Sequence, residues 1–196
     1  MGATRTPRSR WIDEGLRALA EGGPDAVRVE ALAKALGVTK GGFYGYFADR
    51  DALLEAMLDT WERDSVDAVL DRVAYEGGDA RTQIVRAGAL TLSPELLPID
   101  LAIRDWARRD AAVAARLRRV DNRRMDLLRE KIGTFCSDPA EVEARSMLAF
   151  CLRIGEHFLA VEHGDRSREE VRTHAADLVL KRPPYDGDGD GDGDGR

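Results

Sequence analysis

From Trp11 onward the apolar residues recur every three or four positions, the spacing that gathers them on one face of an α-helix. Ile12, Leu16 and Leu19 make the first such stripe, and Gly22, Gly23 and Pro24 end it. Val29, Leu32, Ala33 and Leu36 make a second, shorter one, with Gly37 where a helix needs a left-handed C-terminal cap. Val38 then plugs inward, and Thr39 caps a third helix that begins near Lys40 and carries Phe43 and Phe47 one turn apart. Asp49 or Asp51 starts a fourth helix, whose Leu53, Leu54, Met57, Leu58 and Trp61 connect this module to the rest of the chain. Beyond Gly77 and Gly78 the pattern predicts longer helices over about 81–92, 97–109, 111–132, 139–161 and 168–180. The stretch 147–161 is apolar around most of its circumference, so more than one surface must cover it, one of them another subunit. No alternating run of β-branched residues nominates a strand, and the expected fold is all-α.

Residues 29–48, VEALAKALGVTKGGFYGYFA, thus read as a helix, a tight turn at Gly37 and a second short helix, the arrangement of a DNA-reading helix-turn-helix. Ala33 is small where the two helices cross, Gly37 supplies the left-handed turn, and Val38, Phe43 and Phe47 hold the pair together. At 100° per residue, Phe43 and Phe47 face the core, Tyr44 and Tyr46 flank it, and Gly41 and Gly45 face outward. Gly41, Gly42 and Gly45 each cost about 1 kcal/mol against alanine in a helix, so stability does not select them. Close approach of the backbone to another surface does. Thr39, Lys40, Tyr44 and Tyr46 are placed to meet phosphates there, and Arg28 and Arg50 bracket the module.

The segment TKGGFYGYFADRDALLEAML resembles the recognition helix and following helix of TetR-family regulators. With WIDEGLRALAEGGPDAVRVEALAKALGV before it, the resemblance covers about residues 8–60. It implies that Thr39, Lys40, Gly41, Gly42, Tyr44 and Tyr46 lie on the DNA-contacting surface, that Arg50 meets phosphate, and that Arg28 opens the second helix. Two positions depart from the family pattern: Tyr46 stands where histidine is common, and Gly45 where a larger side chain often reads bases. Sequence discrimination is therefore expected to lean on Lys40, Arg28 and DNA shape. The resemblance also implies a homodimer, a palindromic double-stranded DNA operator and a C-terminal helical ligand-binding and dimerisation domain. The helix over 139–161 and the last one, with Val171, Ala175 and Leu178, are the expected dimer face. Trp61, Arg104, Trp106, Phe150, His157 and Phe158 are the side chains expected to line an effector pocket, with Asp105 and Glu156 as further polar anchors.

Charge changes the picture in one respect. The formal net charge of −6 is unusual for a DNA binder, but the tail alone carries −4, with Asp186, Asp188, Asp190, Asp192 and Asp194 against Arg196. The remainder is near neutral, so affinity for phosphate must come from local placement, and Arg5, Arg8 and Arg10 precede any acidic residue. The expected organisation is a disordered basic arm (1–7), the helix-turn-helix domain (8–52), a regulatory and dimerisation domain (53–182) and a disordered Asp-Gly tail (183–196).

Cys136 and Cys151 lack CxxC spacing and are expected as thiols in a reducing bacterial cytoplasm. No apolar run is long enough for a membrane span. His157, His163 and His174 show no zinc spacing with the cysteines, and the Asp-Gly tail lacks the acidic twelfth position of a calcium loop. No metal or cofactor is expected. No nucleophile with a base, paired carboxylates or phosphate-gripping glycine loop suggests an enzyme. The competing reading is an architectural or adaptor protein that binds DNA without a small-molecule effector.

Overall fold

The computed structural model describes residues 6–181, which form helices joined by turns with no strand among them. Most of the proposed basic arm, including Arg5, and the whole Asp-Gly tail lie outside the described residues. Helix α1 spans Arg8–Gly22 and stops where Gly23 turns to φ +71° and its N–H bonds to Leu19 O at 2.8 Å. Helix α2 is Val29–Ala35 and α3 is Arg50–Glu62. Asp49 is the α3 N-cap, accepting from Ala52 N at 2.8 Å, so the earlier of the two candidate aspartates starts this helix. A π-helical turn, Arg63–Asp67, leads into α4 (Ala68–Glu76). Then come α5 (Ala80–Thr91), α6 (Leu97–Ala107), α7 (Ala111–Ile132), α8 (Pro139–Gly155) and α9 (Arg168–Leu180).

The chain divides into two compact units, one ending at Asp126 and the other beginning at Leu127. In the first, one hydrophobic core runs from Trp11, Leu19, Val27 and Leu32 through Phe43, Leu53, Met57 and Trp61 to Ile103, Trp106, Val113 and Val120. All five apolar residues expected on α3 are buried in it. The N-terminal module is therefore joined to α6 directly, by the packing of α1 against it, rather than hung on a hinge. Charge reinforces the apolar contact: Arg116 reaches Glu55 at 2.6 Å and Asp59 at 2.5 Å, and Arg123 reaches Asp67 at 2.6 Å.

In the second unit α8 and α9 pack as a hairpin. Arg145 donates to the carbonyls of Val179 and Lys181, and Ser167 with Glu170 forms a capping box at the start of α9. The sequence pattern extends α8 to 161, but the helix ends at Gly155. Past Gly155 the N–H groups of His157 and Phe158 close tighter turns onto Ile154 O and Gly155 O, and the Glu156 carbonyl, which a further helical turn would use, is taken by the Arg168 guanidinium. Met147, Leu148, Phe158, Leu159 and Val161 are 46–66% exposed in the single chain, as is Leu178 on α9 at 65%.

Candidate nucleic-acid interface

The turn after α2 has the form that its sequence requires. Gly37 adopts φ +67°, its N–H bonds to Lys34 O at 3.1 Å, and the Val38 N–H bonds back to Ala33 O at 2.9 Å. This paired closure is a Schellman motif, and a residue with a Cβ at position 37 would be strained in it. Val38 packs against the core, and the chain leaves the turn extended at Thr39.

The segment that comes next is shorter in helical content than its apolar spacing suggests. Lys40–Gly42 is a 3₁₀ turn, continued by tight turns to Tyr46 in place of the expected α-helix from Lys40. Gly42 N bonds to Thr39 O and Phe43 N to Lys40 O; the 3.1 Å bond from Phe47 N to Phe43 O has the α-helical span. Three glycines in about eight positions, at about 1 kcal/mol each, account for the loss. Thr39 occupies the N-cap position through its backbone alone, without a side-chain bond.

What the segment loses in helical bonding it recovers from the rings beneath it. Phe43 and Phe47 are buried and stacked at 5.2 Å, and Trp11 of α1 meets Phe43 edge-on at 5.4 Å. Arg8 lies over the Phe47 ring at 4.9 Å, so this member of the basic N-terminus is seated in α1. Trp11 and Arg8 escaped the sequence reading as supports of this segment; the aromatic at the head of α1 was its only sign. The opposite surface is open. Thr39, Lys40, Gly41, Tyr44 and Gly45 are exposed, with Tyr44 at 54%, while Gly42 and Tyr46 are half-buried.

Two of the basic residues are held by the protein itself. Lys40 pairs with Glu30 across the turn, which raises the ammonium above its ordinary pKa and lowers that of the carboxyl. Arg50 donates from Nε to Val27 O at 2.7 Å and from Nη2 to Pro24 O, tying the start of α3 to the loop before α2. Arg28 is exposed at the α2 N-cap.

The six residues expected around an effector fall in both units. In the first, Trp61 and Trp106 are core residues, and Arg104 belongs to a charge network. Arg104 bonds Asp100 at 2.8 Å and both oxygens of Asp121 at 2.7 and 2.9 Å, and Arg124 bonds Asp100 at 2.9 Å. Burial by itself would push the Asp100 carboxyl up, yet Arg124 and Arg104 together hold it below the usual carboxylate range. The Arg124 guanidinium lies 5.9 Å from the Trp61 ring centroid. In the second unit Phe150 is half-buried, and His157 and Phe158 are exposed just beyond the end of α8. Both cysteines are free, Cys136 buried and Cys151 exposed. No helix among the described residues is long and apolar enough to cross a membrane.

A helix, a Schellman turn and a glycine-faced second segment set on an aromatic base define a helix-turn-helix DNA-binding module. Residues 12–57 match the family of bacterial regulatory proteins, tetR family, so this module is a TetR-type N-terminal domain. The chain as a whole has the TetR-regulator fold. It superposes on the TetR-family transcriptional regulator PfmR from Thermus thermophilus with a TM-score of 0.64 at 19% identity, covering 89% of this chain and 99% of that one. FadR from Bacillus subtilis, solved with stearoyl-CoA, matches at 0.65 and 14% identity over 89% and 98% of the two chains. AibR, solved with isovaleryl coenzyme A and operator DNA, matches at 0.63 and 15% identity over 90% and 100%. No curated protein matches the sequence.

Proposed function

We propose that this chain is a cytoplasmic, DNA-binding transcription regulator that acts as a homodimer on a palindromic operator and answers to a small molecule, most simply as a repressor released by its effector. The observation that carries the reading is the open face of the second helix-turn-helix segment. Gly41 leaves that face without a side chain between Tyr44 and the Thr39–Lys40 end, and Gly45 is exposed just beyond Tyr44, over an aromatic base that holds the segment in place. Thr39, Lys40, Tyr44 and Tyr46 contact phosphates or base edges, Arg28 adds charge at the α2 N-cap, and Gly41 and Gly42 set the approach distance. Residues 8–52 act as the reading head and 53–182 as the regulatory part.

Dimerisation is supported by the apolar side chains that α8, its following loop and α9 leave exposed, a patch that a lone soluble chain rarely carries. A two-fold axis through such a face places two identical reading heads on two half-sites, which makes the operator palindromic. Effector control is supported by the common core of reading head, α6 and α7, and by solved proteins of this fold that hold small molecules. A gel shift on the DNA flanking the chain's own gene tests the reading: the dimer retards a specific fragment, and a small molecule of the right chemistry releases it. Failure to retard any fragment at low salt removes it.

A further inference from the structure

At the corner where α6 meets α7 lies an open groove of about 380 Å³ that the DNA-reading surface does not use. Ala107 and Leu117 give it apolar wall, and Arg104, Arg108, Arg118 and Asp121 give it charge. The arginines are not equivalent. Arg104 is engaged by Asp100 and Asp121. Along α6, the link and α7 within this unit, Arg109 pairs with Asp105, Arg116 with Glu55 and Asp59, Arg119 with Glu62, Arg123 with Asp67 and Arg124 with Asp100. Only Arg108 and Arg118, among the described residues of this stretch, have guanidinium groups with neither an ion pair nor a hydrogen bond, and both face the same groove. Two uncompensated, permanently charged forks beside apolar wall match one ligand chemistry.

Building on the effector-controlled reading above, we propose that this groove binds the effector, and that the effector is an amphipathic anion. A carboxylate or phosphate group sits on Arg108 and Arg118, and an apolar body lies along Ala107 and Leu117. The groove is also wired to the reading head. Its wall residues Arg104 and Asp121 are the outer members of the network that continues through Asp100 to Arg124 over Trp61, and Trp61 belongs to α3, the helix that begins directly after the reading segment. A ligand anion that competes with Asp121 for Arg104 loosens the tie between α6 and α7 on which α3 rests. Duplex phosphate is the other anion two free arginines could meet; the apolar wall of Ala107, Ala114 and Leu117 beside them favours the amphipathic small molecule.

The test is calorimetric titration of the full chain, without DNA, using octanoate and octyl phosphate, with 1-octanol as the uncharged control, on wild type and on the Arg108→Gln/Arg118→Gln variant. Both side chains are exposed, so the variant keeps the fold. The expected result is saturable binding of at least one of the anions, one per chain, weakened about tenfold or more in the variant through loss of charge-assisted bonds, with no comparable binding of 1-octanol. Absence of saturable anion binding, equal affinity in the variant, or 1-octanol binding as well as the anions overturns the proposal. Fluorescence anisotropy on operator DNA separates the remaining cases. The variant retains ligand-free DNA affinity if the groove serves a small molecule, whereas a uniform loss of DNA affinity assigns the arginines to phosphate and also overturns it. Failure of the regulator reading itself would appear differently, as wild type that binds the anion and ignores DNA.

Discussion

Gly41 is the residue at which the requirements of fold and function separate. A Cβ built there meets nothing closer than Thr39 Oγ1 at 3.8 Å, an ordinary contact, so nothing inside the protein demands glycine. Gly41→Ala is expected to leave thermal stability unchanged or raised by up to about 1 kcal/mol and to weaken operator binding about tenfold, ~1.4 kcal/mol, as read by a melting curve alongside anisotropy. A loss of stability with intact affinity would make the glycine a folding residue. Arg50 is the reverse case. Resemblance to the family assigns it to phosphate, but its guanidinium is bonded to the carbonyls of Val27 and Pro24. Arg50→Ala is expected to cost about 1–3 kcal/mol in urea unfolding without DNA present, because two carbonyls lose a charged donor. An unchanged midpoint would return Arg50 to the DNA. Residue types with one dominant physical use, such as Gly37 in a left-handed turn, were legible in the sequence. Arginines were not, because carbonyl, carboxylate, ring and phosphate partners all suit them and only three-dimensional placement chooses among these.

Helix ends and helix partners were unequally legible for the same kind of reason. The helices over 111–132 and 168–180 emerge with the boundaries that periodicity and caps predict, since local signals decide them. Two segments come out shorter than their apolar spacing, one because Gly41, Gly42 and Gly45 depress helix formation and one where Arg168, from a distance along the chain, captures the Glu156 carbonyl. The pairing of α6 with α7 through Asp100, Arg104, Asp121 and Arg124 carried no local signal at all, and it has a measurable consequence. Asp100 has a folded-state pKa below its unfolded value, so its stabilisation is complete above the ordinary carboxylate range, near pH ~4, and is lost as pH falls through the depressed value. Acid unfolding of wild type should therefore include a component in that window that Asp100→Asn lacks. At neutral pH the same substitution should cost about 3 kcal/mol by removing the buried carboxylate that Arg124 and Arg104 share and leaving Asp121 as their only counter-charge. Equal neutral-pH stability of the two proteins would show that the network carries no net structural weight.

At the scale of the whole molecule, a reading head, a core shared with α6 and α7, and a self-associating face on α8 and α9 combine into one proposed switch. The apolar run over 147–161 already announced that a single chain would not cover it, and the side chains it leaves exposed, with Leu178, are where the proposed two-fold contact lies. Leu148→Glu/Leu178→Glu should convert a dimer to a folded monomer by light scattering, since exposed apolar side chains contribute to association and not to the chain's own core. A variant that stays dimeric would move the interface elsewhere. The decisive experiment is the stoichiometry and salt dependence of binding to the DNA flanking the chain's own gene, read by anisotropy with wild type and this variant side by side. Wild type is expected to saturate one palindromic site with two chains, with affinity falling steeply as salt rises, and the monomeric variant to bind far more weakly. Binding by wild type to no fragment at low salt, or equally tight binding by dimer and monomer, would contradict a dimeric DNA-reading regulator.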